Sequence, residues 1–138
     1  MVISMTAAAT CLAAAVYFES RGEPLDGQIA VAETVMNRVE SDRFPDDVCS
    51  VVTQNRYPGI LNRCQFSFYC NGQLEVVDDD NAWIVAKEIA TGVLDGSLSL
   101  GVPATHYHTT EVLPFWAKHY TEIGLIGNHR FYIAGDVE

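Results

Sequence analysis

Two glutamates four residues apart, Glu19 and Glu23, stand in the run Tyr17-Phe18-Glu19-Ser20-Arg21-Gly22-Glu23-Pro24. Paired carboxylates serve glycosidic-bond cleavage, one for proton transfer and the other to activate water or attack the sugar. Spacing of four puts both on one side of a helix only if the helix continues, and Gly22 and Pro24 break it. The spacing therefore predicts a split: Glu19 enters a cleft, while Glu23 binds backbone groups or Arg21 in the connection. A carboxylate at the carboxyl end of a helix gets no help from the helix dipole. Burial against Tyr17 or Phe18 then raises its pKa, which suits a general acid. Ser20 adjoins Glu19, but a charged neighbour alone does not activate a serine.

A second set is His106, His108 and Glu111. Two imidazoles and a carboxylate can hold zinc with an open position for water, the basis of a wall amidase or peptidase. His-x-His lacks the specificity of a full zinc motif, and each ring equally suits a backbone carbonyl or a groove wall. On a strand His106 and His108 share one face and Tyr107 takes the other. By the same alternation Gln65, Ser67 and Tyr69 share a face opposite Phe66 and Phe68, which sets hydrogen-bonding groups beside a groove for polysaccharide or peptide.

The elements that must position these groups follow from periodicity. Thr6 to Glu19 reads as an alanine-rich helix. Gln28 to Val39 repeats valine every four residues at 31, 35 and 39, with Asp26 as its cap. Asn37 and Arg38 near its end are expected at the surface or in a local cap, with a cleft as the alternative. Pro45, Asp46 and Asp47 start a short helix through Val48, Val51 and Val52. Residues 55 to 63 read as a loop, and 65 to 69 as a strand ending at Asn71-Gly72. Asp78, Asp79 and Asp80 suit the start of a helix from Asn81 to Leu94, with Trp83, Ile84, Ile89 and Leu94 as core contacts; they do not read as a calcium loop. A strand at 106–111, an aromatic turn at Pro114-Phe115-Trp116 and a hairpin about Gly127 complete an α+β chain without βαβ alternation. His119 reads as exposed helical polarity, and His129 as an anchor of the final strand.

Eighteen acidic residues against eight basic ones give a formal charge of -10. That excludes general binding to a phosphate backbone and makes an anionic membrane an unsuitable primary partner. The length suits one domain spanning residues 1–138. The apolar strip from Val2 to Val16 lacks a preceding cation and is too short to span a bilayer, so it reads as a first core helix and not as an export signal. No phosphate loop is present, and neither cofactor nor metal is expected. Of the four cysteines, Cys11 reads as a buried helical thiol, with any bridge drawn from Cys49, Cys64 and Cys70.

Several separated stretches share one resemblance. They are residues 15–24, Gly27 to Ala32, Val35 to Val39, Phe44-Pro45, Cys49 to Val52, Cys64 to Ser67, Thr105 to His108, Pro114 to Ala117 and Ile126 to Tyr132. In this order they resemble the SleB-like cell wall hydrolases, whose spore-cortex members are lytic transglycosylases. The resemblance implies a compact, mainly helical, lysozyme-like domain with short antiparallel hairpins, acting on peptidoglycan glycan strands. It assigns the acid/base role to Glu19 and supporting or substrate-orienting roles to Ser20, Glu23, Asn37, Gln65, Ser67, Tyr107 and His108. Phe18 stands where several spore members have glycine. Alternatives are a hydrolytic muramidase with Glu23 as the second carboxylate, the zinc enzyme above, and a noncatalytic wall-binding protein. The expected place of action is the bacterial wall or periplasm. A phage, prophage or wall-remodelling setting is expected, with a phage export partner as one route to the wall.

Overall fold

A computed structural model describes residues 5–54 and 77–134. Helix α1 spans Ala7–Ser20, opened by Thr6, whose side chain accepts from the Ala9 N–H. It ends where Arg21 turns extended and Gly22 takes a left-handed φ of +86°. Helix α2, Leu25–Val39, begins after Pro24 with no side-chain cap; Asp26 lies inside its first turn instead of capping it. With Pro24 at the N-cap, the helix starts two residues earlier than an Asp26 cap would set it. Helix α3 is Val48–Val52, capped by Asp47. Helix α4 is Asp80–Asp95, capped by Asp79 and closed by Gly96 at φ +84°.

Strands β1 (His106–Thr109), β2 (Thr121–Ile126) and β3 (His129–Ile133) form an antiparallel sheet in the order β1-β3-β2. A short 3-10 helix, Phe115–His119, joins β1 to β2. Helices and a small antiparallel sheet make this an α+β fold, as the pattern predicts.

The main core gathers Leu12, Val16 and Tyr17 of α1, Ile29, Ala32 and Val35 of α2, Val51 and Val52 of α3, and Ala86, Ile89 and Ala90 of α4. Alanines on α1 let its neighbours approach closely. A smaller cluster of Ala30, Val31, Ala104 and Phe131 seals α2 to the sheet. On α4 the inward stripe is Ala86, Ile89, Ala90 and Val93, the i, i+3, i+4, i+7 set. Ile84 falls off that stripe and is exposed, contrary to expectation.

Cys11 is disulfide-bonded to Cys49, so the reading of Cys11 as a bare thiol is wrong. The two meet because α3 packs on α1, a proximity that no local pattern around Cys11 encodes. Cys64, Cys70, Gln65, Ser67 and the strand expected at 65–69 lie outside the described residues. Among the described residues, no helix is long and apolar enough to cross a membrane.

Candidate active site

Glu19 sits in the last turn of α1, partly buried, facing β1. The Tyr107 hydroxyl donates to its Oε1 at 2.6 Å. Burial raises the Glu19 pKa above the ordinary carboxylate value; the Tyr107 hydrogen bond and the Arg38 charge oppose that rise without cancelling it. Tyr107 is itself pushed well above the ordinary phenol value, first by burial and then by the Glu19 charge, so it remains an O–H donor.

The alternation of β1 holds as read. Tyr107 packs against His129 and Phe131 on the side facing Glu19. His106 and His108 lie on the opposite face against Trp116. His108 Nδ1 meets the Thr109 carbonyl at 2.7 Å and Nε2 meets the Tyr132 hydroxyl at 2.8 Å. A carbonyl can only accept, so Nδ1 carries a proton toward Thr109 while Nε2 shares a hydrogen bond with the Tyr132 hydroxyl. Glu111 lines the Glu19 cleft, while both nitrogens of His108 are occupied elsewhere. The zinc set is therefore not assembled, and among the described residues no three His, Cys, Asp or Glu side chains converge as a metal site.

Glu23 is held differently from Glu19. Its Oε1 accepts from the Asn128 main-chain N–H at 2.6 Å and its Oε2 from the Asn128 side chain at 2.9 Å. His129 Nδ1 lies 3.6 Å from Oε1. The Asn128 main-chain bond leads in lowering the Glu23 pKa, with the Asn128 side chain and His129 adding to it. Burial lowers the pKa of His129, against the pull of Glu23. Glu23 thus clips the α1–α2 connection to the β2–β3 turn. Gly127 in that turn has φ +60°, and a Cβ there would come within 2.5 Å of Glu23 Oε1.

The cleft of about 310 Å³ is lined by Glu19, Arg21, Glu23, Thr109, Thr110, Glu111, Asn128 and His129. Ser20 and Asn37 do not line it. The Ser20 hydroxyl donates back to the Val16 carbonyl at 2.8 Å, one turn earlier. Asn37 Nδ2 donates to the Val102 and Ala104 carbonyls, each at 2.8 Å, fixing the approach to β1. Glu33, one turn before Asn37, accepts from the main-chain N–H groups of Leu100 and Val102.

Arg38 is buried, not superficial. Its Nε donates to the Thr105 carbonyl at 2.7 Å, and its guanidinium lies 4.8 Å from the centre of the Phe44 ring. Arg21 ties the cleft edge to the segment just ahead of α4: it pairs with Asp78 at 2.8 Å and donates to the Tyr17 hydroxyl of α1. Sequence reasoning missed Glu33, Thr109 and Thr110 as parts of this framework, gave Arg38 a cleft only as its alternative, and set Glu111 in a zinc site. The available signal was polar residues at 33, 37 and 38, recurring on a helix otherwise apolar on two sides.

Fold and site together define an α+β domain with a helix-borne carboxyl group of raised pKa in an open cleft against a small sheet. The family model described as cell wall hydrolase matches residues 22–132, beginning just after Glu19, and the chain belongs to that family. A spore cortex-lytic enzyme of Halalkalibacterium halodurans is 31% identical over 120 residues, covering 87% of this chain and 33% of that protein. The Bacillus subtilis spore cortex-lytic enzyme is 28% identical over 120 residues, covering 87% and 35% respectively. The chain spans about a third of the length of these two relatives. The catalytic domain of the germination-specific lytic transglycosylase SleB from Bacillus anthracis superposes with a TM-score of 0.73 at 28% identity, covering 96% of this chain and 99% of that one. The catalytic domain of Bacillus cereus SleB gives 0.65 at 26% identity, covering 96% and 94%.

Proposed function

We propose that this chain cleaves the glycan of peptidoglycan between N-acetylmuramic acid and N-acetylglucosamine, with Glu19 as successive acid and base. The observation that carries this reading is Glu19 itself: a carboxyl group of raised pKa, held by Tyr107, at a cleft. Tyr107 occupies Oε1, which leaves Oε2 to bear the proton. That proton goes to the glycosidic oxygen as the bond to C1 breaks. The resulting carboxylate takes the proton of the muramyl C6 hydroxyl as that oxygen bonds to C1, closing a 1,6-anhydro ring. Atoms balance without water, and one carboxyl group suffices. Holding the sugar so that its own hydroxyl attacks supplies a high effective concentration.

Hydrolysis needs a second carboxylate to activate water. Glu23, the first candidate for that role, is engaged at both oxygens by Asn128, which favours the single-carboxylate route. The relatives' name, spore cortex-lytic enzyme, supports a wall polymer as substrate; action at the bacterial wall or periplasm follows from that proposed substrate.

The test is digestion of purified peptidoglycan followed by mass analysis of the new ends. Anhydro ends are expected from the parent, and a loss of about 10²–10⁴-fold in cleavage from Glu19→Gln. Reducing ends would assign hydrolysis instead. Intact glycan, or near-normal cleavage by the substituted protein, would overturn the role of Glu19.

A further inference from the structure

Three large apolar side chains stand bare on the turn from β1 to the start of the 3-10 helix: Val112 is 53% exposed, Leu113 83% and Phe115 82%. Single exposed apolar residues need no explanation, but a contiguous group beside a cleft marks a contact surface. This turn follows directly on Thr109, Thr110 and Glu111, which line the Glu19 cleft. Four residues span at most about 14 Å, so Phe115 stays within reach of a strand lodged against Glu111.

The turn is also firmly backed. The Val112 N–H donates to the Thr109 carbonyl at 3.3 Å, and the Ala117 N–H to the Pro114 carbonyl at 3.1 Å. Trp116, next to Phe115, stacks on Tyr120 at 5.5 Å and meets Tyr132 edge-on at 5.3 Å. The His face of β1 packs on the same indole. One strand therefore positions Glu19 through Tyr107 and braces the bare turn through His106 and His108. A surface fixed in advance gives up little freedom on binding.

We infer that Val112, Leu113 and Phe115 form a subsite that carries the wall glycan beyond the Glu19 cleft, an inference resting on the substrate reading above. Sugar rings present C–H faces, and N-acetyl groups present methyls. Both pack on an aromatic ring and aliphatic side chains while the hydroxyls stay in water. Sugar rings are tolerated by a chain of charge -10. An anionic bilayer or a second copy of the chain would be repelled.

The experiment combines Leu113→Ser with Phe115→Ser in the Glu19→Gln protein and measures co-sedimentation with purified wall sacculi. Affinity is expected to fall about tenfold, the scale of losing an aromatic anchor. In the cleaving protein the same pair should raise KM by a similar factor and change kcat less. Phe115→Tyr keeps the ring and should retain binding. Ile84→Ser with Val85→Ser, exposed apolar positions on α4, should bind like the parent.

Unchanged sacculus binding by the folded double variant would overturn the inference. So would a parent dimer in sedimentation velocity, or binding to phosphatidylglycerol vesicles, that the double variant abolishes while sacculus binding persists. If the parent cuts no glycan yet binds sacculi through Leu113 and Phe115, the subsite stands and the catalytic reading falls.

Discussion

The Tyr107 hydroxyl reaches Glu19 Oε1 across 88 residues of chain, at 2.6 Å. A sheet residue thus regulates the acidity of a helix residue. Removing that hydroxyl removes a bond that favours the ionised carboxylate. Tyr107→Phe should therefore raise the Glu19 pKa further and move the alkaline limb of the kcat/KM profile to higher pH. A limb left in place, measured on peptidoglycan, would separate Tyr107 from the titrating group.

Glu19 has the opposite stability signature to its neighbour. Its folded pKa is raised, so its contribution is fully present below the unfolded value and is lost as pH rises through the folded one. Glu19→Gln should consequently melt higher than the parent at neutral pH, with the advantage shrinking as the medium is acidified toward pH 4. Thermal melts of both proteins across that range check the sign.

Glu23 has a lowered pKa. Its contribution is present above the unfolded value near 4.5 and is lost as pH falls through the folded one. Glu23→Gln should cost about 1.5–3 kcal/mol at neutral pH, the scale of hydrogen bonds to a charged group. Parent and variant should converge on acidification. Urea unfolding at neutral and acid pH measures both.

Gly127→Ala attacks the same clip from the other side. A left-handed backbone costs about 1–2 kcal/mol for a residue with a Cβ, and that Cβ would press on Glu23 Oε1 and lie 3.0 Å from Pro24 Cδ. Stability should fall at least that far. The Gly127→Ala, Glu23→Gln double variant should lose less than the sum, since both changes break one contact.

The Cys11–Cys49 bond closes a segment of sequence separation 38, for which the chain-entropy model gives about 4 kcal/mol. Cys11→Ser with Cys49→Ser should lower the urea midpoint by a corresponding amount, and reductant should reproduce the change in the parent. Equal midpoints with and without reductant would contradict a stabilising bond.

Much of this molecule is written locally. The valine repeat of α2, the aspartates ahead of α4 and the alternation His106-Tyr107-His108 each specify an element or a face by spacing alone, and the structure shows all three. The placement of Glu19 at the carboxyl end of α1 followed from Gly22 and Pro24 in the same way. What was not legible depends on elements meeting. Cys11 finds Cys49 only because α3 lies on α1. Arg38 is buried only because the segment before β1 folds over α2 and offers the Thr105 carbonyl. Ile84 looked like core because a list of apolar residues does not state the phase of a helix. Glu111 entered as a metal ligand with two histidines, yet the strand sends those rings to the far side while the turn carries Glu111 to the cleft.

The clip of Glu23 to Asn128 has a consequence for how the chain matures. Until the last hairpin has been made and docked, Glu23 has no Asn128 to bind, and β1 has no β3 to hold Tyr107 against Glu19. A half-made chain would thus lack the assembled Glu19 site, which comes together only with the final strands.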